Sequence, residues 1–176
     1  NCDVNKLTFD NCKIVPGTET KIECRKLVIS KTDIQFGSFS DDSLSFLGRE
    51  GITISDSYIR MDKSNIDFEI KADCYLVFDK SYITCKNLDI HSSEDSEAVK
   101  MLCKQNSKTV KFNKCTISIY EAFKLHDLIY SLKFDATIFN YVKEFDISGL
   151  TKFMSSKSYF EANEGVLKLN IKDCDL

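Results

Sequence analysis

Along this chain one arrangement of apolar and polar positions returns seven times: apolar, any, apolar, two of any kind, a small polar residue, any, apolar. The copies begin at Leu7, Leu27, Ile52, Leu76, Val110, Leu132 and Leu169. Their second apolar positions are Phe9, Ile29, Ile54, Phe78, Phe112, Phe134 and Ile171. The small position holds Cys12, Thr32, Ser57, Ser81, Cys115, Thr137 and Cys174, and the last Ile14, Ile34, Ile59, Ile83, Ile117, Phe139 and Leu176. Alternation over the first three residues has the period of a strand. Its return at intervals of 20 to 37 residues predicts a stacked solenoid. Each copy then lies about 4.8 Å from the next in one parallel sheet, and each column becomes a ladder of like side chains.

The segments between copies are less uniform. Thr20 to Glu23, Ser43 to Leu47 and Asn65 to Ile70 alternate at period two and are expected to be extended. Leu88-x-Ile90 and Phe145-x-Ile147 imitate the start of the pattern, but follow a full copy too closely to open another coil, so they are expected to be returning segments or imperfect half-repeats. Two stretches are expected to be helical. Ser92 or Ser93 can cap a helix running to about Lys104, with acids in its first turn and a lysine in its last. Tyr120 to Tyr130 places Phe123, Leu128 and Ile129 near one helical face, and Ser155 to Gly165 reads as a loop or short turn.

Extended three residues upstream, the pattern becomes L-x-x-L-x-L-x-x-N/C-x-L. VNKLTFDNCKI at 4–14, CRKLVISKTDI at 24–34 and IYSLKFDATIF at 129–139 follow it closely. The chain resembles the leucine-rich repeat family across nearly its whole length. It departs from that family in having no Asn in the turn column and in carrying Arg49, Asp73 and Ser107 at first positions. The resemblance implies an α/β solenoid of stacked parallel strands with about seven coils, residues 1–176 forming one domain. The alternative is a right-handed parallel β-helix, whose coils have similar length and use similar strands. No initiating Met is present, and Leu176 ends a copy without a polar cap, so a piece of a longer array is expected.

Composition narrows the function. Hydrophobic residues are 43% and charged residues 29% of the chain, with a formal charge of −3, as in a globular protein. The charge balance and the lack of aromatic interleaving among basic residues argue against nucleic-acid binding. No apolar run approaches the roughly 20 residues of a membrane span. The eight cysteines form no C-x-x-C, and His91 and His126 are not spaced with them as zinc ligands would be. Cys12, Cys115 and Cys174 alternate with Ser and Thr in one column, so small inward-facing packing residues with free thiols are expected. Cys2, Cys24, Cys74, Cys85 and Cys103 are placed outside that column, the last four in the connections. None of the ten Asn residues stands in an N-x-S/T context. An intracellular, reducing setting is expected, with a cell or virion surface as the alternative.

No cofactor, metal or catalytic site is expected. Asp10, Asp79 and Asp135 share one outward row but do not lie on adjacent copies, as a carboxylate pair would require. The family resemblance implies a non-catalytic scaffold that binds a protein partner through the exposed, concave strand face. Lys111, Asn113, Lys114 and Lys133 make the later part of that face basic, and Tyr58 with Tyr82 offers an aromatic anchor on adjacent coils. A third outward row is expected at Asn11, Lys31, Asp56, Lys80, Lys114, Ala136 and Asp173. The alternative is a surface β-helix protein that binds or cleaves carbohydrate.

Overall fold

The structure, a computed structural model, describes residues 5–35, 43–71, 74–92, 108–126, 129, 131–148, 152–161 and 168–172. These form a parallel β-solenoid of about five turns, with no helix among the described residues. Three strand ladders make three faces. The first face stacks β1 (Lys6–Asp10), the end of β3 (Glu19–Ser30), the end of β5 (Ser43–Ser55), β7 (Tyr75–Asp79), β9 (Thr109–Asn113), β11 (Ser131–Asp135) and β14 (Lys152–Ser156). The second stacks β2 (Lys13–Ile14), β4 (Asp33–Gln35), the starts of β6 (Tyr58–Ile70), β8 (Tyr82–Ser92) and β10 (Thr116–Leu125), then β12 (Ile138–Asn140) and β15 (Tyr159–Glu161). The third stacks the starts of β3 and β5, the ends of β6, β8 and β10, then β13 (Glu144–Ser148) and β16 (Lys168–Lys172).

The long strands bend between faces at register shifts, between Cys24 and Lys26, Met61 and Asn65, and Ile119 and Ala122. Inside, each apolar column runs vertically through five rungs. Leu27, Ile52, Leu76, Val110 and Leu132 form one, and Ile29, Ile54, Phe78, Phe112 and Phe134 the next, all fully buried. Leu7, Phe9 and Phe153 at the two ends are only partly covered, because an end rung has a neighbour on one side alone.

The corner from the first to the second face explains the small polar column. Asn11, Lys31, Asp56, Lys80, Lys114, Ala136 and Lys157 all take positive φ, between 47° and 53°. That left-handed geometry turns the chain while its amide still reaches the next coil, as in Asp56 N–H to Asp79 O at 2.9 Å and Lys114 N–H to Asp135 O at 2.8 Å. The following small residue folds its side chain back onto the carbonyl two positions earlier: Thr32 onto Ser30 at 2.8 Å, Ser57 onto Ser55 at 2.6 Å, Ser81 onto Asp79 at 2.9 Å. Thr137 and Ser158 repeat it, and the Cys115 thiol does so at 3.3 Å. The hydroxyl also accepts an amide from the preceding coil, as Ser57 Oγ does from Thr32 N–H at 3.1 Å. A hydroxyl or thiol there satisfies backbone groups that the turn removes from the ladder.

Several expectations are corrected. The α/β leucine-rich-repeat architecture of about seven coils gives way to an all-β solenoid of about five turns, which the β-helix alternative fits. Thr116–Leu125 is strand β10, where Phe123-x-Leu125 continues the buried third-face columns from Leu88-x-Ile90, so ladder pairing overrides the helical spacing of 120–130. The helix expected over 92–104 lies outside the described residues, save Ser92, which ends β8. Ser155 to Gly165 holds the end of β14 and all of β15 rather than a loop throughout. Leu169 does not continue the first face: it pairs with Phe145 in the third, and Phe153 pairs with Leu132 instead. Six residues of the expected third outward row, Asn11, Lys31, Asp56, Lys80, Lys114 and Ala136, are the left-handed corner itself, and Asp173 lies outside the described residues. Cys24 and Cys85 lie on strands rather than in connections. The extended returns at 20–23, 43–47 and 65–70 are all strand.

The five described cysteines, Cys12, Cys24, Cys74, Cys85 and Cys115, are free. All but Cys12 are buried. Burial pushes the Cys74 thiol up to about 12 and Cys115 up to about 11, and raises Cys85 further still. Because the folded chain holds these protons more tightly than the unfolded one, their stabilising contribution is complete below about pH 9. It declines as the pH climbs from there towards each raised value. Iodoacetamide at pH 8 is therefore expected to label Cys12 in the native protein and to spare Cys74, Cys85 and Cys115 until denaturant is added. Peptide mass spectrometry reads the outcome directly.

Candidate functional site

The six residues singled out from sequence fall on both sides of one corner. Lys111 and Lys133 are neighbours on the first face, in register and half-buried. Asn113 ends the same face and donates its amide N–H to Asp79 Oδ1, a bond within the ladder. Lys114 is the exposed left-handed corner residue. Tyr58 and Tyr82 open the second face, their rings stacked 5.0 Å apart and 8° from parallel, each about half exposed. The structure therefore brings together the two lysines and, separately, the two tyrosines, with the corner between them.

The tyrosines belong to a larger pattern that sequence reasoning missed. In register with them stand Thr116, Ile138 and Tyr159, and Ile138 and Tyr159 are exposed. At the far edge of the face Tyr120 and Tyr141 stack at 5.7 Å, and both are exposed. Between these borders runs a polar row of Arg60, Thr84, Ser118 and Asn140. Arg60 is held by the Asp33 carboxylate, Nε to Oδ1 at 3.2 Å, while its guanidinium lies 5.7 Å from the Tyr58 ring centroid. Two charged contacts thus fix Arg60 beside the aromatic platform.

The third face carries a groove of about 630 Å³ lined by Asn65, Asp67, Asn87, Asp89, Glu121, Ala122, Lys124, Lys143 and Glu144. Its amides are ordered: Asn87 donates to Asn65 Oδ1 at 2.9 Å and accepts from Ala122 N–H at 3.1 Å. Coil stacking gathers two of these lining residues, Asp67 and Asp89, with His91 and His126. Asp89 Oδ1 is 3.0 Å from His126 Nε2 and 4.0 Å from His91 Nδ1, and His91 Nδ1 is 3.0 Å from Asp67 Oδ1. The two imidazoles stack 5.5 Å apart. The Asp67 carboxylate raises His91 above its ordinary range against the opposing effect of burial, and burial raises Asp89 against the pull of both histidines. Among the described residues Asp10, Asp79 and Asp135 make no comparable cluster: Asp79 and Asp135 accept from Asn113 and Ser156 within the first-face ladder.

No protein-family model, curated protein or solved structure matches the chain. The class the fold defines is a parallel β-solenoid.

Proposed function

We propose that the chain is a non-catalytic scaffold that binds a protein partner through its second face. The observation carrying this reading is the double border of exposed, pre-stacked tyrosines around a polar row. Rings already stacked in the free protein lose little side-chain freedom on docking, and tyrosine supplies large contact area with a polar tip. Lys111 and Lys133, across the corner, become a rim that steers rather than anchors. The free buried thiols support a reducing, intracellular setting for this activity.

The test compares proteins retained from the source cell by the wild-type chain, by Tyr58→Ala/Tyr82→Ala and by Lys111→Glu/Lys133→Glu. A specific partner is expected to be weakened about 30-fold or more by the tyrosine pair, the loss of about 2 kcal/mol typical of anchor residues. The lysine pair is expected to alter mainly its salt dependence. An unchanged partner set with the tyrosine variant would exclude the second face.

A second reading is carried by the third-face groove, where carboxylates, amides and lysines line a trough suited to an oligosaccharide. Glycan-array binding lost in Glu144→Gln/Lys143→Met, but kept in the tyrosine variant, would favour it.

A further inference from the structure

We propose that Asp89, His91 and His126 form a binding site for a divalent transition-metal ion of zinc's class, with Asp67 as a fourth donor. The site is independent of the second-face reading, since it lies on another face and none of its residues belongs to the tyrosine borders.

The site exists only because the coils stack. Leu125 is in register with Ile90, so the next residues, His91 and His126, stand one above the other on the outer surface. Two residues before His91 in the same strand, Asp89 points to the same side, and Asp67 lies in register with it one coil earlier. One nitrogen from each histidine and one Asp89 oxygen all lie within 4.8 Å of one another. Zinc holds nitrogen and oxygen donors at about 2.0–2.2 Å, which places tetrahedral donors about 3.3–3.6 Å apart. The observed 3.0 and 4.0 Å separations straddle that spacing, so small rotations of two side chains bring the donors round one ion.

Two further features single the cluster out. Asp89 Oδ1 and His91 Nδ1 are buried atoms that, among the described residues, complete no well-aligned hydrogen bond, although each lies 3.0 Å from an ionisable neighbour. Such atoms carry a desolvation cost that coordination would relieve. The side chains as a whole remain about one-third exposed, leaving an ion a path in from solvent. The donor set also selects the metal. Two imidazoles with one or two carboxylates suit zinc, cobalt, nickel or copper, whereas calcium and magnesium take oxygen donors. Glu69, in register with His91, is drawn instead towards Lys21 at 4.0 Å and Lys71 at 3.8 Å, whereas Asp67 Oδ1 already lies 3.0 Å from His91 Nδ1 at the edge of the three-residue donor set.

The experiment uses the full chain, treated with chelator and then titrated calorimetrically with zinc chloride. One ion per chain is expected, with a visible absorption of tetrahedral type when cobalt(II) replaces zinc. His126→Ala and Asp89→Asn are each expected to weaken zinc by at least about tenfold, while Cys12→Ser leaves it unchanged. In the unaltered protein zinc is expected to slow modification of His91 and His126 by diethyl pyrocarbonate, a readout independent of how any variant folds. Zinc affinity that survives both substitutions, absence of stoichiometric binding, or histidine modification that zinc does not slow would each overturn the site.

Discussion

Phe112→Ala is expected to destabilise the protein by about 3–5 kcal/mol, the largest effect of any single truncation considered for this fold. Phe112 is fully buried at the middle of the stack. Its ring lies 4.6 Å from Phe78 and 2° from parallel on one side, and 5.5 Å from Phe134 on the other. Across the interior it meets Phe123 and Phe139 edge-on at 6.3 and 6.0 Å. Removing it opens a cavity bounded by four aromatic rings whose backbones are fixed by ladder hydrogen bonds, so the gap cannot close by collapse. Urea unfolding followed by circular dichroism measures the loss. Phe153→Ala supplies the contrast: at an end rung, partly exposed and with fewer ring partners among the described residues, it is expected to cost much less. Equal costs at the two positions would mean that the interior is not a continuous vertical core.

The stacking itself was legible because columns in the sequence became ladders in space. Ile29, Ile54 and Phe78 are consecutive register partners, as their common position in the repeat requires. The kind of solenoid was not legible from the repeat alone. A first-face strand with a helical return and one with two further strands present the same apolar, any, apolar start. The decisive information lies in the returns, where Leu44-x-Phe46, Ile66-x-Phe68, Leu88-x-Ile90 and Phe123-x-Leu125 are themselves register partners. Read as a second repeating column, they predict a third face and leave no room for helices there. From Tyr120 to Leu125 the helical spacing is an accident of local order, outvoted by pairing with coils on both sides, while Leu128 lies outside the described residues.

Site residues were harder to read, because proximity depends on which face a residue occupies. Tyr58 and Tyr82 were found from sequence since they share a column and an exposed row. Tyr120 and Tyr141 share no column of the first repeat and meet only at the corner leading to the third face. His91 and His126 lacked any motif spacing, yet the third-face register stacks them. A burial surprise of the same kind is Lys108, fully enclosed and donating to Ser92 Oγ, a contact between chain-distant residues that no local pattern encodes.

The small polar column yields the second large expected effect. Ser57→Ala is expected to cost about 1–3 kcal/mol although it removes one atom, because that atom serves the backbone on two coils. Ser57 is fully buried; its hydroxyl donates to Ser55 O and accepts Thr32 N–H. Alanine leaves that amide buried without an acceptor, at the place where positive φ at Lys31 has already drawn the chain out of regular pairing. Ser57→Cys should cost distinctly less, since Cys115 fills the same column and its thiol still reaches Asn113 O at 3.3 Å. Ser57→Val, matching threonine in shape but without the hydroxyl, should fall with alanine rather than with cysteine. Chemical unfolding of the three variants separates the explanations: rank order by side-chain volume would make the column a packing feature, and rank order by hydrogen-bonding capacity would make it the joint on which each corner is built.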